Sequence, residues 1–209
     1  MPEHHQTAIT KLKYTPAAGR VGAAFRVVIQ SLTMRQRILA ILLDSGDTLV
    51  DEGTEIKNDL LETQTADLIP GAAEMVQALK QRGYRLGLVA DGPAKTFTNV
   101  LGHYGLYDLF DACAISGDVG VEKPHPAMFC HALDCLNIHP TDYARVLMVG
   151  NNLERDIAGA NALGITSVWI DWAPRRSKIP AGPQEVPCHT IKTPLDLLDL
   201  LDRLEEASL

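Results

Sequence analysis

Asp44 ends an apolar run, ILAILLD, and is followed by Ser45, Gly46 and Asp47. Three further stretches repeat the arrangement. Ala90-Asp91-Gly92 follows LGLV, Lys123 lies in GVEKPHP shortly after DACAIS, and Asn151 and Asp156 follow VLMVG. Two or three carboxylates, one lysine and tight backbone turns gathered in one place suit a divalent cation beside a phosphate. The carboxylates would hold Mg²⁺, and the lysine would offset the remaining phosphate charge.

For these residues to meet, the apolar runs before them must be neighbouring strands. ILAILL (38–43) is a continuous apolar run of strand length, as expected of a strand buried on both faces. YRLGLVA (84–90), DACAIS (111–116), ARVLMVG (144–150) and ITSVWI (165–170) supply four more. Between them the spacing predicts helices over 72–81, 93–105, 125–138 and 152–164, with Pro93 in a first turn and Gly83 and Gly164 as stops. LLETQTADLI also has helical spacing, broken at Pro70-Gly71. Pro174, Pro180, Pro183 and Pro187 make 173–190 an extended loop, and Thr193 caps a last helix over 193–207 with Pro194 at its first position.

Five strands alternating with helices predict an α/β protein: a Rossmann-like, doubly wound, mostly parallel five-stranded sheet with its site at the carboxyl ends of the strands. No GxGxxG follows the first strand and no GxxxxGK[ST] occurs, which disfavours those two nucleotide-binding designs. One domain is expected over 34–209, with its core at 38–172. Residues 1–33 lack a clear period and a signal-peptide pattern. They read as a flexible extension or a start codon assigned too early; the alternative is a segment that packs on the fold.

Composition excludes other classes. The 209 residues are 46% hydrophobic and 22% charged, with a formal net charge of −7 and scattered basic residues, so no broad nucleic-acid face is expected. No apolar run reaches the ~18 residues of a membrane span. The four cysteines form no CxxC and have no partner at zinc-site spacing, which fits thiols in a reducing, cytoplasmic setting.

DSGDTLVDE, SGDVGVEKPHPAMF and MVGNNLERDIAGANALG, in this order, resemble the haloacid-dehalogenase-like (HAD) hydrolase superfamily over about residues 38–172. The resemblance implies that Asp44 is a nucleophile that becomes phospho-aspartate. It also implies that Lys123 stabilises the phosphoryl group and that Asp156 binds the metal. Ala90, Asp91, Gly92 and Lys123 would surround the phosphate, and Asp44, the Gly46 carbonyl, Asn151 and Asp156 would hold Mg²⁺.

The chain departs from the family pattern at three places. Gly46 stands where the family has its acid/base aspartate, Ala90 where it has a serine or threonine, and Asn151 where it has a second acidic ligand. A positioned acid or base is worth about 10²–10⁴ in rate. Asp47, displaced by one residue, is read first as capping the turn or bonding local backbone N–H groups; the alternative is a re-registered loop in which it replaces the lost acid/base. With one carboxylate replaced by an amide, the metal should bind more weakly.

Between Val50 and Tyr84 there is room for one linking helix and a short segment, too little for a helical cap, so the site should be open. Trp172, Arg175, Arg176 and Lys178 would form part of its rim, or else lie in a solvated connector. The expected function is an Mg²⁺-dependent phosphatase acting on a phosphorylated small molecule or a larger phospho-substrate. The alternative is a catalytically weak protein that keeps the fold and binds a phosphorylated ligand or partner.

Overall fold

The computed structural model describes residues 37–206. The expected extension 1–33 lies outside the described residues. The described chain is an α/β fold, as its alternating pattern requires, with one parallel sheet between two helical layers.

The sheet contains β1 (Ala40–Leu43), β4 (Arg85–Ala90), β5 (Ala112–Ile115), β6 (Val146–Gly150), β7 (Thr166–Ile170) and β8 (His189–Ile191). Their order is β5-β4-β1-β6-β7-β8, and every pairing is parallel. All four residues of β1 are buried. Ile41 and Leu43 pack into one core cluster, whereas Ala40 and Leu42 pack into the other, the two-residue alternation of a strand covered on both faces.

Helices α1 (Ala72–Gln81), α2 (Ala94–His103) and α6 (Asp196–Glu206) cover the first face through Met75, Leu79, Phe97, Leu101, Leu197 and Leu201. Helices α4 (Pro126–Cys135) and α5 (Ala158–Leu163) cover the second through Met128, Phe129, Leu133 and Ala160. The short α3 (Ser116–Val119) follows β5. From β1 the chain moves outward to β4 and β5, then returns to β6 on the other side of β1. The crossovers after β1 and β6 thus leave on opposite faces, which opens a crevice at their carboxyl ends.

Three local expectations are corrected. The sheet has six strands, not five: His189–Ile191, placed by sequence at the end of the proline-rich loop, pairs in parallel with β7. Side chains anchor this segment from outside it, because Asn161 Nδ2 donates to the carbonyls of Gln184 and Val186, and Ser167 Oγ accepts from Cys188 N. Secondly, the stretch with helical spacing before Pro70 is an antiparallel hairpin, β2 (Ile56–Lys57) with β3 (Thr63–Thr65). Asn58 Oδ1 accepts from Leu60 N and Glu62 N, a side-chain turn that competes with helix formation. Leu60 and Leu61 are left 73% and 72% exposed, so their apolar spacing finds no core to face. Thirdly, the last helix is regular from Asp196 rather than from 193, and the Asp196 carboxylate accepts from Lys192 N and Thr193 N in the turn that leads into it. Among the described residues no helix is long and apolar enough to cross a membrane.

Candidate active site

Asp44 follows the last residue of β1 and is tied to β6 by its backbone N–H, which donates to Val149 O at 2.9 Å. Lys123 reaches it from the loop after α3. The ammonium donates to Asp44 Oδ1 at 2.6 Å, Asp156 Oδ1 at 2.7 Å and Val89 O at 2.8 Å, so all three of its N–H groups are used. All three side chains are nearly buried: Lys123 is 4% exposed, Asp44 8% and Asp156 1%.

Burial pulls the Lys123 ammonium down, but Asp156 and Asp44 outweigh it and hold the lysine above its ordinary value. Burial pushes the Asp156 carboxyl up to about 7; Lys123 opposes this and the Asp44 charge adds to it. One cation is thus shared by two carboxylates in a site with little water to screen them.

Asp156 owes its position to an interrupted helix. Asn152 caps it, accepting from Glu154 N and Arg155 N, and residues Leu153–Ile157 wind as a π-turn before α5. The π-turn's wider winding turns Asp156 back over the tip of β6, where Oδ2 accepts from Asn152 N at 3.0 Å. A β-carbon on Gly150 would stand 2.3 Å from that carboxylate, so only glycine admits it.

Ala90 and Asp91 border the same cleft, while Gly92 borders the neighbouring one. The Asp91 side chain is a structural clamp. Oδ1 accepts from Lys123 N at 2.9 Å and Oδ2 pairs with Arg155 at 3.1 Å, which fixes the loop that carries Lys123. The Gly92 N–H, expected to face a phosphate, instead donates to Ser116 Oγ at 2.9 Å. Arg155 is not singled out by sequence, because an arginine inside a helical pattern is ordinarily a solvated one.

Asp44, Gly46, Asn151 and Asp156 line one cleft of about 90 Å³. Two carboxylates, an amide and a backbone carbonyl form a hard-oxygen set of the kind that suits Mg²⁺. Among the described residues no three His, Cys, Asp or Glu side chains form a ligand cluster, so two of the donors would be neutral.

Asp47, the candidate acid/base of the alternative reading, does not border the cleft. It has a left-handed backbone (φ 49°) and is fully buried. Its Oδ1 accepts from Glu52 N at 3.2 Å and from Arg175 Nη1 at 2.7 Å, so it turns away from the cleft and ties down the segment that follows. Burial raises its pKa, against the pull of the Glu52 N–H and of Arg175. Arg175 also pairs with Asp51 at 2.6 Å, and Arg176 pairs with Glu52 at 3.2 Å. Of the four rim candidates, Arg176 borders the cleft, whereas Arg175 is engaged by Asp47 and Asp51 outside its lining. Lys178 pairs with Asp171, and Trp172 packs on the core.

Sequence reasoning misses Glu52. Its Oε1 lies 2.2 Å from where a β-carbon on Gly46 would stand, and it borders the cleft with Asp44 and Lys123. Burial raises its pKa; Arg176 opposes this, and Asp47 and Asp44 add to it. Its one signal is a glutamate shortly after an unexpected glycine. Beside this cleft, a second cavity of about 220 Å³ lies between the hairpin and α2, bordered by Lys57, Leu61, Thr96 and Phe97.

A family model described as haloacid dehalogenase-like hydrolase matches residues 3–164. The glyceraldehyde 3-phosphate phosphatase of Pyrococcus furiosus is 34% identical over 136 residues, which cover 65% of this chain and 55% of that protein. The phosphoserine phosphatase of Thermus thermophilus is 30% identical over 138 residues, covering 66% and 54%. The chain spans about half the length of the curated relatives it matches. Among solved structures, a HAD phosphatase from Thermococcus onnurineus superposes with a TM-score of 0.65 at 21% identity, over 78% of this chain and 98% of that one. The protein YfnB of Bacillus subtilis, solved bound to magnesium, gives 0.64 at 20% identity over 79% and 99%. These last two likenesses show a shared fold, and the family model spans most of the chain and includes Asp44, Lys123 and Asp156. The chain belongs to the haloacid dehalogenase-like hydrolases.

Proposed function

We propose that this chain is a phosphatase that works through a phospho-aspartate on Asp44. The observation that carries the reading is the convergence of Asp44 and Asp156 on the buried Lys123 ammonium at the carboxyl edge of the sheet. An Asp44 oxygen attacks phosphorus, the ester oxygen leaves, and water then releases phosphate from the acyl phosphate. The Lys123 charge, held against Asp44, would offset negative charge building on the transferred group, and a fixed charge of this kind in a dry site is commonly worth about 10²–10³ in rate.

Asp44, the Gly46 carbonyl, Asn151 and Asp156 would hold Mg²⁺, which supplies charge neutralisation for the phosphoryl oxygens. YfnB, which shares this fold, was solved bound to magnesium, which supports the choice of ion but not the individual ligands. The substrate proposed is a small phosphate monoester. Relatives named for glyceraldehyde 3-phosphate and phosphoserine support a compact, polar leaving group.

Phosphate release with and without Mg²⁺, from an aryl phosphate and from alkyl phosphates, tests the proposal. Turnover that needs the ion and disappears in Asp44→Asn is the expected result. A wild-type protein inert to both ester classes sinks it.

A further inference from the structure

Cleavage of an alkyl phosphate at Asp44 requires a proton at the departing oxygen, and four carboxylates border the cleft that contains Asp44. Two are committed: Asp44 and Asp156 share the Lys123 ammonium. Asp91 has both oxygens engaged, one by Lys123 N and the other by Arg155. Glu52 remains. Its Oε2 is held by Arg176 at 3.2 Å, whereas Oε1 has no hydrogen-bond partner among the described residues. That free oxygen is the one that lies against Gly46, 2.2 Å from the point a β-carbon would occupy.

We infer that Glu52 is the general acid and base of this site, reaching from six residues downstream into the space that Gly46 leaves open. The inference rests on the phosphatase reading above and names the group that reading lacks. Gly46 is then a requirement of the geometry: any side chain there would displace the Glu52 carboxylate.

The backbone of Glu52 is prepared for the task. Its N–H donates to buried Asp47 Oδ1, and Asp47 is in turn fixed by Arg175. Asp51 Oδ1 accepts from Gly53 N at 2.8 Å and caps the single 3₁₀ turn Glu52–Thr54. Asp47, Asp51 and Arg175 are positioning residues, and Arg176 holds the side chain itself.

The steps balance. The Asp44 carboxylate forms an O–P bond as the P–O bond to the substrate breaks, and the Glu52 proton passes to the departing oxygen to give an alcohol. The Glu52 carboxylate then takes a proton from water as that water attacks phosphorus. Inorganic phosphate leaves, Asp44 is again a carboxylate, and Glu52 has regained its proton.

The test compares wild type, Glu52→Gln and Glu52→Ala in Mg²⁺ on an alkyl phosphate and on 4-nitrophenyl phosphate, whose leaving group departs without a proton. Thermal melting checks that each variant is folded. The expected result is an alkyl phosphate turnover lowered by about 10²–10⁴. With the aryl ester, rapid release of one equivalent of nitrophenolate should persist, followed by slow turnover and accumulation of phospho-Asp44. Gly46→Asp combined with Glu52→Ala should recover part of the alkyl phosphate turnover, because it returns a carboxylate to the same space.

An active wild type whose Glu52→Gln form keeps its alkyl phosphate turnover overturns the role of Glu52 alone. So does an equal loss on both esters with no nitrophenolate burst. A wild type inert to both esters overturns the phosphatase reading and the role of Glu52 with it.

Discussion

Glu52 Oε1 lies 2.2 Å from the point where a β-carbon on Gly46 would stand, so the two residues share the volume of one side chain. Gly46→Ala should therefore push the glutamate aside at little cost in stability, since the displaced atoms end a flexible chain and the Gly46 backbone is not left-handed. Alkyl phosphate turnover should fall more than aryl phosphate turnover, and the urea midpoint should stay close to wild type. Steady-state kinetics beside an unfolding curve checks both.

Lys123→Met removes the ammonium that contacts two nearly buried carboxylates. Breaking a buried pair from one side commonly costs about 3–5 kcal/mol, because the partner charge is left uncompensated. Adding Asp156→Asn to the same chain should recover part of that loss. A double-mutant cycle in urea measures the recovery, and strictly additive losses would contradict the shared-cation picture.

Asp47→Asn keeps the shape but weakens the hold on Glu52 N and Arg175. Turnover of an alkyl phosphate should fall, but by less than the ~10²–10⁴ that marks loss of a direct proton donor. KM should change little. A loss as large as that of Glu52→Gln would return the acid/base role to Asp47.

Asn151→Asp adds a third carboxylate beside Asp44 and Asp156. Added ligand charge strengthens binding of a hard cation, so Mg²⁺ should bind at lower concentration than in wild type. Calorimetry with Mg²⁺ alone reads this without reference to turnover. Unchanged or weaker binding would remove Asn151 from the proposed ligand set.

Asp111 sets a pH dependence of stability. Burial works against its charged form, but Lys80, at 2.8 Å from both carboxylate oxygens, and the Leu86 N–H hold its pKa below the usual carboxylate value. A pKa lower in the folded chain than in the unfolded one means stability that is present above the ordinary value of ~3.9 and lost as pH falls through the folded value. Asp111→Asn should therefore flatten the acid side of the stability curve and leave the slope near neutral pH unchanged. The side chain is 40% exposed, so the effect should be modest and should shrink in salt.

Much of the fold is legible in the pattern of residues. Continuous apolar runs such as ILAILL mark strands buried on both faces, and their alternation with amphipathic helices allows few arrangements besides a parallel sheet. The polar residue after each run is then delivered to one edge, which is why Asp44, Lys123, Asn151 and Asp156 can be named together. Periodicity fails where a side chain diverts the backbone. Asn58 turns an apolar helical spacing into a hairpin, and Asp196 starts the last helix late.

Local pattern thus suffices for the sheet class and for the strand tips that carry Asp44, Asn151 and Asp156, because strand period and burial are local and additive. The choice of which acidic side chain enters the cleft belongs to the tertiary packing. Asp47 turns inward, where Arg175, 128 residues away, compensates its burial, and Glu52 enters the cleft lining against Gly46, which has no side chain to exclude it. An ion pair across the fold and a volume left empty six residues upstream have no period, so no reading of spacing alone reveals them.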